Sequence, residues 1–401
     1  MATLDAVDVL STNSVLSVME LTKKPLTTIP QNYICPDQEP VLLGLSDHDC
    51  NTTLPTLPTI DMEKLIIGET TDLELDKLHS VCKAWGLFQL VNHGVSSSLL
   101  NKLNKEIEEF FELPLEEKMK YKVRPGDVEG YGTVIRPKAR SLDWGYRFYM
   151  TINPIQRRKP YLFPELPPSL RNTLESYFSE LKKLGMTLME LMGKALKIDK
   201  RELEELFEDG MRSVRMTCYP PCPQPELVVG FPPHSDATGI TILHQVNGVE
   251  GLQIKKDGVW IPVNFLPHAF VVNVGDIMEI LSNGAYTSAE HRVAVNLEKE
   301  RISIAVFFNP KSEAEIEPLK SLLNTTKSPP LFRRVSIEDF HKDFFSRDLK
   351  GKTNLEYLRI KTGEGNTHDQ MKTNTITACA CHVAIYIYIY IYMYVYKCTH
   401  E

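Results

Sequence analysis

The sequence predicts an α+β fold in which a mainly β core follows a helical region. Two observations predict it. Up to residue 210, apolar residues recur mostly every three or four positions, which is the period of amphipathic helices. From residue 211 the period changes to two, in short segments separated by turn residues. A block of short strands of this kind usually closes into a sandwich, a barrel or a jelly roll.

The N-terminal part predicts short strands and amphipathic helices behind a leader. Residues 1–55, rich in Thr, Pro, Asp and Leu, form the leader, which we expect to pack partly on the surface. The segment LPTIDM, residues 57–62, predicts a short strand, and residues 72–85 carry apolar residues at helical spacing. Residues 87–94 predict a strand with a turn, and residues 96–114 a second helix. We assign these elements to an N-terminal domain, residues 56–165.

The rest of the chain predicts a helical support, the β core and a helical C-terminal region. A long helix over 168–198 and a shorter one over 201–210 make up the support, residues 166–210. The β core is residues 211–312, followed by the C-terminal region, 313–366. The strand-like segments of the core are MRSVRMTCYP, GITILHQV, GLQIKKDGVWIPV, AFVVNVGD, EHRVAVNL and RISIAVFF.

The C-terminal tail, residues 367–401, differs in character from the domain before it. It is polar at first and then alternates strictly between tyrosine and aliphatic residues over 383–396. An unpaired strand of this composition is prone to aggregation. A simple repetitive nucleotide tract would encode the same alternation. We therefore expect the tail to be disordered or an artefact of translation rather than a functional element.

Composition excludes several classes of function. The net charge is −7, from 45 basic and 52 acidic residues, and no block of Lys or Arg stands out, so nucleic acid is not an expected partner. No window of eighteen apolar residues predicts a membrane span, and the N-terminus has no basic region typical of a secretory signal. The cysteines are scattered along a long chain rather than spaced as a disulfide framework. A cytoplasmic protein is expected.

A candidate metal site follows from the stretch PPHSDATGITIL, residues 232–243. Residues two apart in a strand point to the same side, so His234 and Asp236 can aim at one point. His291, in the later strand segment EHRVAVNL, can supply a third ligand. Two histidines and one carboxylate leave coordination positions open, which suits non-haem iron(II). Taken singly, each of these residues is more often structural, so a further feature is needed.

The segment RISI supplies that feature. It places Arg301 and Ser303 on one side of a strand and two isoleucines on the other. A guanidinium beside a hydroxyl is well suited to bind a carboxylate. The alternative is an arginine that pairs with a structural acid or points to solvent. The carboxylate-binding reading suits a dicarboxylate whose other end chelates the metal.

Together these motifs resemble the plant iron(II)- and 2-oxoglutarate-dependent dioxygenases. The resemblance covers about residues 57–364. It implies a double-stranded β-helix, or jelly-roll barrel, with an N-terminal α/β region and a long backing helix. The motifs that carry it are His234-Ser235-Asp236, His291-Arg292-Val293, Arg301-x-Ser303, YPPCPQPE (219–226), FFNP (307–310), LPTIDM, WGLFQLVNHGV (85–95) and PGDVEGYG (125–132).

The resemblance also implies roles for individual residues. His234, Asp236 and His291 would ligate Fe(II), while Arg301 and Ser303 would hold the distal carboxylate of 2-oxoglutarate. Tyr219 would add a hydroxyl contact to the same carboxylate. O2 would be the second cosubstrate, and ascorbate a reductant that keeps the iron ferrous. Substrate contacts are predicted for Tyr131, Tyr146, Phe148 and Phe307. For Phe307 a plain core position is an equal alternative.

The expected function is oxidation of a small aromatic specialised metabolite, by hydroxylation or O-demethylation, with release of succinate and CO2. Within that class the resemblance favours a benzylisoquinoline-type alkaloid. A monomer is expected. The alternatives are a flavonoid oxidase, a hormone-inactivating hydroxylase, a non-catalytic small-molecule-binding module, and a zinc hydrolase with the same ligands. A zinc hydrolase would have no use for Arg301 and Ser303.

Overall fold

The computed structural model describes residues 18–22, 26, 28–36, 39, 55–67, 70–133, 141–347 and 351–360. The chain divides into a compact unit, Met1–Arg359, and a second unit, Ile360–Glu401. The predicted tail, 367–401, and much of the predicted leader, 1–55, lie outside the described residues. All that follows concerns the first unit.

Most of the helical residues precede the β core, as the change of period predicts. The predicted helix 168–198 is α6, with the sequence-based estimate two residues too long at its C-terminus. The Asp199 carboxylate begins the next helix, because it accepts a hydrogen bond from the Arg201 amide. The helices are α1 Val18–Leu21, α2 Met62–Ile66, α3 Thr71–Ala84, α4 Ser97–Glu112, α5 Leu115–Met119, α6 Pro168–Leu196, α7 Lys200–Phe207, α8 Asp276–Leu281, α9 Lys320–Thr326, α10 Ile337–Ser346 and α11 Thr353–Glu356.

The strands form two main sheets. The larger has the order β1-β2-β10-β7-β12-β5-β4-β3, the smaller β6-β11-β8-β9, and a two-stranded ribbon pairs β13 with β14. The strands are β1 Thr59–Asp61, β2 Leu87–Val91, β3 Gly130–Gly132, β4 Tyr146–Asn153, β5 Arg212–Tyr219, β6 Phe231–His234, β7 Ile240–Gln245, β8 Leu252–Lys256, β9 Val259–Pro262, β10 Phe270–Val274, β11 His291–Val293, β12 Arg301–Phe308, β13 Glu315–Ile316 and β14 Val335–Ser336.

The chain alternates between the two sheets through the core. Strand β5 lies in the large sheet, β6 in the small one and β7 in the large one; the hairpin β8–β9 returns to the small sheet, and β10, β11 and β12 alternate again. Pairing within the core is antiparallel throughout. This winding is a double-stranded β-helix, so the predicted α+β fold with a jelly-roll core is confirmed. Apolar residues on the paired strands, such as Ile242, Val272 and Ile304, are fully buried and stabilise the core.

The long helix α6 lies directly against the large sheet. A Cβ atom on Gly185 would come within 2.5 Å of the Phe308 ring on β12, so only glycine allows this close approach. On the same helix, the Met192 carbonyl accepts a hydrogen bond from the Tyr286 hydroxyl at 3.2 Å. The predicted backing helix is therefore present and fixes the strand that carries Arg301.

Strand pairing brings the sequence-predicted site residues together. In the small sheet, β6 and β11 are neighbours, with His234 and His291 directly opposite each other. In the large sheet, β5 and β12 are neighbours, with Tyr219 opposite Arg301. Segments far apart in the sequence thus converge because each lies on a strand of the same jelly roll.

Candidate active site

His234, Asp236 and His291 form a compact buried group. One ligand atom from each lies within 4.8 Å of the other two. The Asp236 Oδ1 atom is 3.5 Å from Nε2 of His234 and 3.7 Å from Nε2 of His291. The imidazole rings are 4.2 Å apart between centroids. The three donor atoms therefore face one common point.

Backbone carbonyls orient both imidazoles. The Nδ1 atom of His234 is 2.9 Å from the Pro232 carbonyl oxygen, and that of His291 is 3.0 Å from the Ala289 carbonyl oxygen. A carbonyl can only accept, so each Nδ1 carries the proton and each Nε2 presents a lone pair. Carbonyls that fix the tautomer in this way are typical of histidines that bind metals.

The environment keeps His234 and Asp236 in the protonation state that a metal requires. Burial lowers the pKa of His234 to about 4, with a contribution from the neighbouring His291, so the ring is neutral at pH 7. Burial would raise the pKa of Asp236, but the two imidazoles outweigh it and hold the carboxylate ionised. The other oxygen of Asp236 accepts a hydrogen bond of 2.9 Å from the Asn273 side chain.

The residues fit a metal ion by their own chemistry. The buried Nε2 atom of His234 has no hydrogen-bond partner among the described residues. An unsatisfied buried acceptor is costly, and a metal ion would satisfy it together with the two atoms facing it. Two neutral imidazoles and one carboxylate are a donor set suited to iron(II) with open coordination positions.

Arg301 lies on β12 of the same jelly roll, opposite Tyr219, and has donors without a partner among the described residues. Its side chain is buried, with the residue 1% exposed, and its Nη1 donates to the Ser303 hydroxyl at 3.3 Å. Within the described part of the chain, the Nε and Nη2 atoms have no hydrogen-bond partner and Arg301 forms no ion pair with an acid. The Tyr219 ring lies 5.5 Å from the guanidinium. Pairing with a structural acid, the alternative from the sequence, is thus absent from the described part of the chain. The arrangement fits a carboxylate supplied by a ligand.

A cavity of about 250 Å³ extends from the triad. Aromatic rings and arginines dominate its walls, which come from β4, β5, β12 and the helix α10. The Ser336 side chain caps α10 by accepting from the Asp339 amide at 3.1 Å. Lining residues include Arg147, Tyr149, Arg212, Arg215, Phe231, His234, Asp236, Phe307, His341, Phe344, Phe345 and Arg347.

The four residues predicted to contact substrate lie in three different environments: the triad cavity, a smaller neighbouring cavity and the core. Phe307 lines the cavity. Tyr146 lines a smaller neighbouring cavity instead. Tyr131 and Phe148 line neither of these cavities; both pack against Phe110, with ring centroids 6.5 and 5.3 Å away. The prediction therefore differs from the structure for Tyr131 and Phe148, and for Tyr146 at the triad cavity.

The physical reason is the alternation of side chains along β4. Its burial alternates strictly from Tyr146 to Asn153, with the even-numbered residues buried in the aromatic core. The odd-numbered residues Arg147, Tyr149 and Thr151 line the cavity. The sequence-based choice named the even-numbered side of this strand, whereas the odd-numbered side lines the cavity; both sides carry aromatic residues, so residue type alone does not distinguish them.

Asn273 and the α10 residues are site residues that the sequence-based reasoning missed. Asn273 is buried, and its side-chain amide also lies 3.4 Å from Nε2 of His291. A signal was available, since Asn273 is the one polar residue in the otherwise apolar strand FVVNV. For α10 no motif pointed to the cavity, because its position depends on tertiary packing.

Comparison with known proteins identifies the class. The model of the 2OG-Fe(II) oxygenase superfamily matches residues 209–310, and the model of the non-haem dioxygenase N-terminal domain, described from morphine synthesis, matches residues 57–169. The chain belongs to the plant 2-oxoglutarate- and iron(II)-dependent dioxygenases. It is therefore an oxidoreductase that uses Fe(II), 2-oxoglutarate and O2.

Relatives match along almost their whole length. Codeine O-demethylase of Papaver somniferum is 49% identical, with 86% of this chain and 96% of that protein covered. The oxoglutarate-dependent flavonoid 7-O-demethylase 1 of Ocimum basilicum is 44% identical, with 86% and 91% covered. The crystal structure of JOX2 in complex with 2OG, Fe and JA superposes with a TM-score of 0.78 at 34% identity, covering 87% of this chain and 99% of that one. Among the described residues, no helix has the length and apolar character needed to cross a bilayer.

Proposed function

We propose that this dioxygenase removes an O-methyl group from a small methoxylated aromatic metabolite. The observation that supports the dioxygenase chemistry is the convergence of three buried ligand atoms in a jelly roll that also contains Arg301, a buried arginine whose Nε and Nη2 have no partner among the described residues. The choice of demethylation is supported by the relatives, since codeine O-demethylase and the flavonoid 7-O-demethylase are 49% and 44% identical. Benzylisoquinoline alkaloids and methoxylated flavonoids are the two substrate groups to test.

Each site residue has a distinct task under this proposal. His234, Asp236 and His291 would hold iron(II), and Arg301 with Ser303 would bind the distal carboxylate of 2-oxoglutarate, with Tyr219 beside it. When bound, iron(II) and 2-oxoglutarate activate O2 and supply the oxidant for a substrate C–H bond, with release of succinate and CO2. Hydroxylation of an O-methyl carbon gives a hemiacetal, which loses formaldehyde and leaves a phenol.

The protein contributes position and the exclusion of water. Phe231 and Phe307 form apolar walls next to the triad, and Phe344 and Phe345 of α10 add a further wall. Such walls place the methyl group of a flat ring near the triad while limiting access of water to the oxidant. Asn273 holds the free oxygen of Asp236, so the carboxylate keeps the orientation that faces both imidazoles.

The test measures three products at once. Purified protein is incubated with Fe(II), ascorbate, 2-oxoglutarate and a panel of methoxylated alkaloids and flavonoids, and mass spectrometry scores loss of one CH2 unit. Formaldehyde and succinate should appear in a one-to-one ratio with the demethylated product. A substrate that gains oxygen without formaldehyde would show hydroxylation instead and contradict the demethylase proposal.

A matched pair of histidine variants controls for the metal site. His234→Ala should abolish all three products. His268→Asn should leave them unchanged, because His268 is exposed at positive φ, a conformation that asparagine tolerates. Equal product formation by the two variants would contradict the assignment of the triad.

A further inference from the structure

Arg215 lies in the substrate cavity close to the triad. It is on β5, at even spacing from Tyr219, so both side chains point to the same side of that strand. The guanidinium carbon lies 4.6 Å from the Phe231 ring centroid and 5.4 Å from that of Phe307. Arg215 lines both the main cavity and the smaller one beside it.

Among the described residues, the Arg215 side chain has no hydrogen-bond acceptor and no ion-pair partner; it contacts the Phe231 and Phe307 rings. The other arginines of the cavity differ. Arg347 pairs with the Asp343 carboxylate at 2.8 Å. Arg212 and Arg147 donate to the Glu208 and Val128 carbonyls at 3.3 and 3.1 Å. A fully charged guanidinium in a half-buried site without an acceptor calls for one from elsewhere.

The position of the two rings leaves the donors of Arg215 open. A guanidinium is planar, with its N–H groups in the plane, so contact with aromatic faces leaves those groups directed away from the rings. Asp236 is the only acidic side chain among the described residues that line this cavity, and the triad already uses it. The wall of the main cavity is therefore positively charged. Asp143 lines the smaller cavity together with Arg215, but within the described part of the chain these two side chains form no ion pair.

We propose that Arg215 binds an anionic oxygen group of the substrate, a carboxylate or an ionised phenol, in the cavity beside Phe231 and Phe307. This inference rests on the proposed function, because it assumes that the cavity at the triad is the substrate site. The proposed contact also ranks the candidate substrates by their charge. An alkaloid amine, which is cationic at neutral pH, would meet like charge at Arg215, whereas an acidic phenol or a carboxylate would meet opposite charge.

The test compares three probes that share one methoxylated ring. They are 4-methoxycinnamic acid, its methyl ester and the cation 4-methoxyphenethylamine. Binding is measured by calorimetry to protein loaded with 2-oxoglutarate and redox-inactive Mn(II), so that no turnover is needed. The parent protein should bind the acid about tenfold to a hundredfold more tightly than the ester, the range for a hydrogen bond to a charged group. The amine should bind least tightly.

Substitutions assign the preference to Arg215. Arg215→Gln should remove the preference for the acid, and Arg215→Lys should retain part of it, because a lysine keeps the charge but not the planar pair of donors. Arg201→Gln is the control, since Arg201 is exposed on α7, with 73% of its side chain accessible, and pairs with Asp199 at 2.7 Å. It should bind the probes as the parent does. Melting temperatures check that each variant is folded.

The outcomes separate this inference from the demethylase proposal. Equal binding of acid and ester by the parent, no binding of the acid, or a preference that survives in Arg215→Gln would overturn it. An Arg215→Gln variant with a higher KM for 2-oxoglutarate and an unchanged preference for the acid would also overturn it, because Arg215 would then bind the cosubstrate. If binding depends on Arg215 as expected but no methoxylated compound yields formaldehyde, the anion site stands and the demethylase proposal fails.

Discussion

The triad end and the substrate end of the cavity are built in different ways. At the triad end, paired strands and backbone carbonyls fix each functional atom: His234 and His291 face each other across β6 and β11, and both rings are held through Nδ1. At the substrate end, the walls are side chains of β4, β5 and β12 together with α10, a helix outside the two main sheets. The comparison shows that strand pairing and backbone carbonyls determine the metal site, whereas side-chain identity determines the cavity walls.

This division has an energetic basis. A backbone carbonyl that orients a ligand does not depend on which side chain stands there, so the triad geometry follows from the fold. The walls are set by side-chain identity, and aromatic contacts such as Tyr149 against Phe307, at 6.4 Å, tolerate replacement more readily. Substitutions at the triad end should therefore affect every substrate, and substitutions at the substrate end should affect substrates selectively.

The largest effect is expected for Asp236→Ala. The change removes the one charged ligand and leaves two neutral imidazoles, so metal affinity and turnover should fall by well over about a hundredfold, beyond the range for loss of a supporting hydrogen bond. Titration with Mn(II), followed by electron paramagnetic resonance, measures the affinity directly. Asn273→Ala is the matched comparison, with an expected loss of about tenfold to a hundredfold because only a supporting hydrogen bond is removed. Equal losses in the two variants would contradict this order.

Arg301→Gln tests the next component of the triad end. The guanidinium is buried with free donors, so its loss should raise the KM for 2-oxoglutarate by about tenfold to a hundredfold, as for one or two charge-assisted hydrogen bonds. Relative rates for different substrates should not change, because the cosubstrate is common to all of them. A change in substrate preference with an unchanged KM for 2-oxoglutarate would place Arg301 at the substrate end instead.

The strand that carries His234 is also held from the C-terminal side. The Gly351 amide donates to the Pro233 carbonyl at 3.1 Å. Lys352, the next residue, and Arg359 further along the segment donate to the buried Glu279 carboxylate at 2.6 and 2.8 Å. The segment from Gly351 to Arg359 thus links β6, through Pro233, to α8, through Glu279.

Glu279→Gln should therefore lower the free energy of unfolding by about 2 kcal/mol, less than for a fully buried pair because both cations are partly exposed. Urea unfolding measures it. Lys105→Gln removes an ion pair with Glu109 on the exposed surface of α4, where the two side chains are 76% and 57% accessible, and should change the same quantity by less than about 0.5 kcal/mol. A similar small loss for Glu279→Gln would show that the C-terminal segment is not a structural fastening.

The sequence allowed more to be predicted at the triad end than at the substrate end. His234 and Asp236 could be proposed from their spacing of two residues, with His291 as a third ligand from a later segment. Arg301 could be proposed from the RISI segment, which places it beside Ser303 and opposite two isoleucines. The change of period from helix to strand likewise predicted a β core, with a sandwich, a barrel and a jelly roll as alternatives, and the family resemblance implied the jelly roll. Neither argument applies at the substrate end. An aromatic residue is common both in a core and in a pocket, so its type does not reveal which side of the strand it lies on. Phe148, predicted from the sequence to contact substrate, packs in the core.

Arg215 illustrates the remaining gap. In the segment MRSVRMTCYP a charged residue among apolar ones could have been noticed, but its lack of a partner is visible only once the surrounding strands are in place. The contribution of α10 depends on how a C-terminal helix packs over the cavity, which no local pattern encodes. Tertiary packing thus decides which side chains form the walls.

The smallest effect is expected for a pair of phenylalanine variants that tests this distinction. Phe307→Leu removes a ring from the cavity wall, so the KM for an aromatic substrate should rise about threefold to tenfold, the range for loss of one aromatic contact, with little change in melting temperature. Phe148→Leu makes the same chemical change at a fully buried core position, where the residue is 0% exposed. It should lower the free energy of unfolding by about 1 kcal/mol and leave the KM unchanged.

Steady-state kinetics and urea unfolding on both variants give a two-by-two comparison. If Phe148→Leu changed the KM as much as Phe307→Leu, the side of β4 that faces the substrate would be the even-numbered one after all, and the division between core and cavity wall would have to be redrawn.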